Sequence, residues 1–245
     1  MAIFVVYLMT MMEKTINTKE NMVNDLADFL TRSGWTGFAL AVAAGLVNIW
    51  IVQEYVLTEA VYYNTLGERM AAERISEMLS AQDRWQWVSY ALVPVLLLVQ
   101  GFLVSLCILA GAVALYWKLP FRRLFGRVMQ VLGITAVLRL IPTAVLLFKD
   151  VRVLEDALYS DWYSLLGVLG RDTVPEWLHA PLLGLNLFHL IFVLLLTLAV
   201  WLLRQDSTTT WRWGRTLRFV LATYGSGILL WWLVLVFLQV NGATV

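Results

Sequence analysis

The sequence predicts an all-α polytopic membrane protein, a bundle of five transmembrane helices with amphipathic helices in its two outer loops, on three observations. Apolar residues make up 60% of the chain and charged residues 14%, with a mean hydropathy of +0.75, against roughly 45–50% and about 25% in soluble domains. Five runs, about 37–57, 88–117, 128–148, 182–203 and 217–240, are apolar throughout most of their length, and a hydrocarbon core takes about 20 helical residues to cross. Several of the 12 tryptophans, including Trp35, Trp85, Trp87, Trp117 and Trp201, fall near the ends of those runs, where aromatic belts meet the headgroups.

The remaining bulk properties remove function classes. A net charge of +1 gives nucleic acid no electrostatic footprint. The single cysteine, Cys107, excludes an intrachain disulfide and a cysteine-based zinc cluster. No Gly-x-x-x-x-Gly-Lys-Ser/Thr loop, His-Glu-x-x-His pair or Gly-x-Ser-x-Gly elbow occurs, and none of the five runs contains an Asp, so the expectation is a protein that is not an enzyme and carries no cofactor.

In chain order, residues 1–36 read as a cytoplasmic segment. Residues 1–12 are apolar but lack a basic flank and a small-residue cleavage site, so they do not read as a signal peptide; Met11, Met12 and Met22 leave a later start open. Val23, Leu26, Phe29 and Leu30 share one helical face, which predicts a juxtamembrane helix. Residues 37–240 form the transmembrane domain and 241–245 an outer tail. The long second run implies tilt or extension beyond the bilayer, and Pro94 is a candidate kink.

Orientation follows from the basic residues. Lys14, Lys19 and Arg32 precede the first run, Lys118, Arg122, Arg123 and Arg127 follow the second, and Arg204, Arg212, Arg215 and Arg218 surround the fourth connection; these eleven compare with six in the two other loops. Positive connections stay cytoplasmic, so the N-terminus is expected inside and the C-terminus outside, in a bacterial inner membrane.

Each outer loop carries helical patterning. Thr65 and Glu68 have capping-box spacing, and Leu66, Met70, Ile75, Met78 and Leu79 follow as a stripe, which predicts an amphipathic helix over about 65–82. In the second loop Leu154, Leu158, Trp162, Leu165, Leu166 and Leu169 form another stripe, and Thr173 with Glu176 has the spacing of a second capping box around Pro175. Such helices lie in the headgroup plane or lid the bundle. The eleven acids of these loops match anionic lipid poorly and favour an extracytoplasmic protein partner.

Arg139 is the most informative polar residue. It falls near the middle of the third run, about 9–10 residues from either interface, too deep for its side chain to snorkel. A charge there costs at least roughly 2.5–3.5 kcal/mol unless it faces protein, water or a partner. It serves either as a binding group for something anionic or polar, or as a structural donor to backbone carbonyls beside Pro142. Asn186 and His189, three apart, share a face of the fourth run, and Gln100, Thr223, Tyr224 and Ser226 could extend a polar seam or make ordinary interhelical bonds. His189 has only His179 nearby in sequence, which is too few ligands for a metal site. Ala41 with Gly45, Ala110 with Ala114 and Thr223 with Gly227 provide small-residue helix contacts.

Five spans, a short polar N-terminus, an outward C-terminus and mid-span glycines, over roughly residues 30–240, resemble the Yip family of membrane proteins. The segments Leu-Gly-Leu-Asn-Leu-Phe at 183–188 and Tyr-Gly-Ser-Gly-Ile-Leu-Leu-Trp-Trp at 224–232 look like parts of small bacterial inner-membrane proteins of this kind. The Asp-Leu-Tyr-Gly-Pro motif of the family's eukaryotic members is missing from the sequence, so their trafficking role does not carry over. The leading expectation is a non-catalytic subunit or scaffold of a transport or envelope complex, bound to membrane lipids and to other subunits or copies of itself. A small oligomeric transporter or channel around Arg139, or a lipid-handling protein, are the alternatives.

Overall fold

A computed structural model of the chain describes residues 28, 30, 33–68, 70–149, 151–154, 162–205 and 212–242. The chain divides into two units, Met1–Ser33 and Gly34–Val245. In the first, Asp28 and Leu30 are helical; the rest of the expected juxtamembrane helix lies outside the described residues. In the second, the described residues form helices and no strand. Five stretches are long and apolar enough to cross a membrane: Gly34–Val56, Ala72–Ala114, Phe121–Leu147, Leu187–Arg204 and Trp213–Phe237.

The elements are α1 (Gly34–Ile51, continued by a π-helical turn Val52–Val56), α2 (Glu59–Leu66), α3 (Ala72–Ala114), α4 (Phe121–Leu138) and α5 (Leu140–Leu147), followed by α6 (Leu165–Leu169), α7 (His179–Gly184), α8 (Leu187–Gln205) and α9 (Trp213–Gly242). Helices are what a bilayer permits, because each backbone N–H and C=O must find its partner within the segment.

Glycine sets how these helices meet. A Cβ added at Gly34 would lie 2.5 Å from Gly126 Cα, one at Gly37 2.5 Å from Gln130 Cα, and one at Gly133 2.6 Å from the Gly37 carbonyl oxygen. Helices α1 and α4 therefore touch backbone to backbone, and they run in the same direction, since the Asn48 carbonyl at the far end of α1 accepts from the Thr143 hydroxyl of α5. Gln130 Nε2 also donates to Thr36 Oγ1 at 2.8 Å. Val128, Met129, Gln130, Val131, Leu132 and Gly133 are consecutive and all buried, which makes α4 the central helix. Helix α8 covers another side of it through Phe192, Leu196, Ala199 and Val200. Helix α9 meets α3 where Gly111 faces Thr223 and Gly227 faces Cys107.

The two arginine-bearing connections come to one end of the bundle. Trp117, just beyond α3, lies 4.4 Å from the Phe219 ring of α9, and the Arg204 guanidinium at the end of α8 sits 4.4 Å above Trp117. The N-terminal end of α1 is there too, against Gly126.

Several boundaries differ from the sequence expectation. Thr65 and Glu68 do not cap a separate helix: Thr65 Oγ1 donates to the Val61 carbonyl in the last turn of α2, and Gly67 closes that helix. The stripe expected over 65–82 instead opens α3, which runs 43 residues from Ala72 because nothing between there and the apolar run stops a helix. At 1.5 Å per residue α3 is about 65 Å long, roughly twice the hydrocarbon thickness. Pro94 lies inside it without ending it.

In the second loop, Thr173 Oγ1 donates back to Leu169 and Gly170 rather than capping forward to Glu176. The Leu154–Leu169 stripe is interrupted by a turn at Trp162 and Tyr163, and α6 starts behind Ser164, whose hydroxyl accepts from Gly167 N; residues 155–161 of the stripe lie outside the described residues. The third span starts at Phe121, seven residues earlier than expected, and the fourth starts at Leu187, five later.

The glycine contact predicts opposite outcomes for two similar changes. Gly37→Ala puts a methyl within 2.6 Å of Gln130 and Met129 backbone atoms and should lower stability by about 1–3 kcal/mol, read as a lower melting temperature in detergent. Gly225→Ala, with nothing within 4 Å, should melt like the parent or slightly above it.

Candidate functional site

The site begins with a proline. Pro142 has no N–H to give the Leu138 carbonyl, and its ring crowds that carbonyl, so α4 ends at Leu138 and α5 starts at Leu140. Arg139 stands at the break, φ −68° and ψ −10°, held by its N–H to the Thr135 carbonyl at 3.0 Å. Its side chain is exposed and makes no hydrogen bond or ion pair with any described residue. Of the two roles expected for it, donation to a nearby carbonyl is not made among the described residues. Arg139 stands eight residues before Leu147, about 12 Å from that end, in the half remote from the basic connections.

Beside Arg139 lies a cleft of about 240 Å³ between α1, α3 and α4. Its walls include the small residues Ala41, Ala44, Gly45 and Ala136, and its polar groups are Asn48, Gln100, Thr135 and Arg139. Thr135 spends its hydroxyl on the Val131 and Leu132 carbonyls, and Asn48 spends its carbonyl on Thr143. What is left is dominated by donors: the guanidinium, the Asn48 amide N–H groups and the Gln100 amide. Chemically the cleft suits a carboxylate or another acceptor anion, bidentate on the arginine.

The other candidates separate. His189 of α8 and Tyr224 of α9 stack, ring centroids 5.7 Å apart and 20° between planes, with Phe192 5.4 Å from Tyr224. Arg139 contributes to the electrostatic environment of both, and it lines the cleft together with Gln100. Asn186 does not join them. Its Oδ1 accepts from His189 N at 2.8 Å, one residue ahead of α8, which is the N-cap position and satisfies a donor the helix cannot. Thr223 and Ser226 hydroxyls bond within α9. His179 Nε2 is 3.0 Å from the Val174 carbonyl, away from His189. Among the described residues no group of three His, Cys, Asp or Glu is placed to hold a metal.

Asn48 and Thr143 are the residues the sequence reading passed over. The signal was present: an Asn within the first apolar run, about one helical turn after Ala44 and Gly45. No acid completes the site from the chain's own spans, since residues 84–149 contain no Asp or Glu and Glu54 is exposed in the π turn.

Comparison with known proteins finds no matching family model, no matching curated protein and no matching solved structure.

The cap makes a stability prediction separate from the cleft. Asn186→Ala should lower the melting temperature by a few degrees, corresponding to about 1 kcal/mol, and Asn186→Asp should restore it. An alanine variant that melts with the parent would assign Asn186 some other role.

Proposed function

We propose that this chain is a non-catalytic integral membrane subunit of a transport or envelope complex, and that a carboxylate-bearing transmembrane helix of another subunit docks in its Arg139 cleft. The reading places the chain in a bacterial inner membrane with its N-terminus and basic connections cytoplasmic, its C-terminus outside, and the acidic outer segments available to an extracytoplasmic partner. Its likeness to the Yip family belongs to the same reading.

The observation that carries it is Arg139: an exposed arginine within an apolar span, bonded to no described side chain. Lipid tails offer no acceptor at that depth, so the charge is compensated from outside the chain. The small residues of the cleft let a second helix approach closely, and the donor-rich walls select an acid on it.

The test is affinity purification from the native membrane in mild detergent. The parent should bring down a membrane protein with an acid in a transmembrane segment; Arg139→Leu should lose it, and Arg139→Lys should retain part of it. A parent chain recovered as a monodisperse monomer, with no partner after crosslinking, would rule the reading out.

One observation favours a second reading, a small oligomeric transporter or channel. His189 and Tyr224 stack between α8 and α9 and feel the charge of Arg139, a second polar pair inside the bundle. Flux of an anion into liposomes reconstituted with the chain, abolished in Arg139→Leu, would support it; no flux, or flux indifferent to the substitution, would remove it.

A further inference from the structure

A second concave region lies at the opposite end of the bundle. A groove of about 590 Å³ separates the end of α3 from the start of α9, within the roughly 300–1,000 Å³ of ligand pockets. Its apolar part is lined by Ala114, Leu115, Ala222 and Thr223, and its rim by Arg215 and Arg218. The same two arginines, with Arg212, line an adjoining cavity of about 680 Å³.

The groove exists for a local reason. Gly111 and Thr223 meet so closely that a Cβ on Gly111 would fall 1.9 Å from Thr223 Cγ2, which pins α3 to α9. Towards the basic end, Ala114, three residues beyond Gly111, and Ala222, next to Thr223, are too small to fill the space that opens, and both are exposed. Trp117 on Phe219 supplies an apolar floor. The Arg204 guanidinium over the Trp117 ring adds positive charge.

An apolar channel ending at a cluster of guanidinium groups matches one kind of molecule: an amphiphile with an acyl chain and an anionic phosphodiester. We infer that this groove is a binding site for an anionic phospholipid, with the phosphate held by Arg215 and Arg218 and an acyl chain lying along Ala114, Ala222 and Thr223. Basic pockets between transmembrane helices recognise such headgroups, each arginine near the surface strengthening the attraction. A zwitterionic phosphatidylcholine carries the same phosphate but a compensating choline, so it binds more weakly. The site is independent of Arg139 and of the subunit reading.

The experiment is native mass spectrometry of the full chain in mild detergent, titrated with phosphatidylglycerol and with phosphatidylcholine of the same acyl chains, and with inorganic phosphate as competitor. The expected result is one retained phosphatidylglycerol per chain, at least tenfold tighter than phosphatidylcholine and not displaced by millimolar phosphate. Arg215→Gln combined with Arg218→Gln should weaken it about thirtyfold. Ala222→Phe, which fills the channel and leaves every arginine in place, should weaken it at least tenfold with an unchanged melting temperature, and serves alone if the double variant fails to fold. Equal retention of the two lipids overturns the inference, as does displacement by phosphate. Binding unchanged in a folded variant also overturns it.

Discussion

The backbone contact between α1 and α4 is the constraint on which the rest of the bundle depends. Once inserted, helices in lipid gain little by hiding apolar side chains from one another, so association rests on close packing and on polar bonds. Gly34, Gly37 and Gly133 supply the first, bringing main chains within a distance that a side chain at those positions would forbid. Gln130 with Thr36, and Asn48 with Thr143, supply the second at separate levels along the same pair. Because the two helices are parallel, an intervening span must return between them; α3 does so, and its length carries it well beyond the membrane on the way.

The same stripe of small residues has a different consequence further along α1. Near the basic end it faces glycines, and the helices touch. Beyond Ala41 it faces a helix that is about to break at Pro142, and the small side chains of Ala44 and Gly45 leave a cleft instead of a contact. One compositional feature therefore yields both the tightest joint in the bundle and an opening beside Arg139. Arg139 stands at that break with its N–H still on the Thr135 carbonyl, and its side chain is exposed at the cleft rather than folded back on carbonyls.

The five spans were legible because a run of about 20 apolar residues has few alternatives, and the gathering of the basic connections at one end agrees with the observed contacts around Trp117. Boundaries were less legible, for identifiable reasons. Hydropathy locates where charge ends, whereas a helix continues until something stops it. Hence α3 extends back to Ala72 through Glu73, Glu77 and Asp83. Capping-box spacing at Thr65 and Thr173 misled because a threonine hydroxyl has a competing acceptor, the carbonyl one turn back, and both threonines take it. Asn186 falls on a shared face with His189 only if the fourth run starts before it, at about residue 182. With the helix starting at Leu187, the same side chain is a cap. Within the site, Arg139 and Gln100 were recognised from their polarity, but their meeting with Asn48 depended on the register of α1 against α4, which the glycines fix and hydropathy does not record.

The arginines at the two ends of the bundle sit in different media, and this decides what can neutralise each. At the level of the connections, Arg212, Arg215 and Arg218 border the groove between α3 and α9, where an anionic headgroup could reach them without leaving the membrane surface. Arg139 lies about 12 Å from the end of its helix at Leu147, a depth that, in the proposed membrane placement, would put phosphate and bulk water out of reach. An acceptor has to be carried to it on a structure that crosses the same depth. A transmembrane helix with a single acid does this with one residue, and the paired charges then lose less on leaving water together than either does alone. On the proposals made above, the depth of a basic residue, more than its identity, would separate lipid contact at one end of this bundle from subunit contact towards the other.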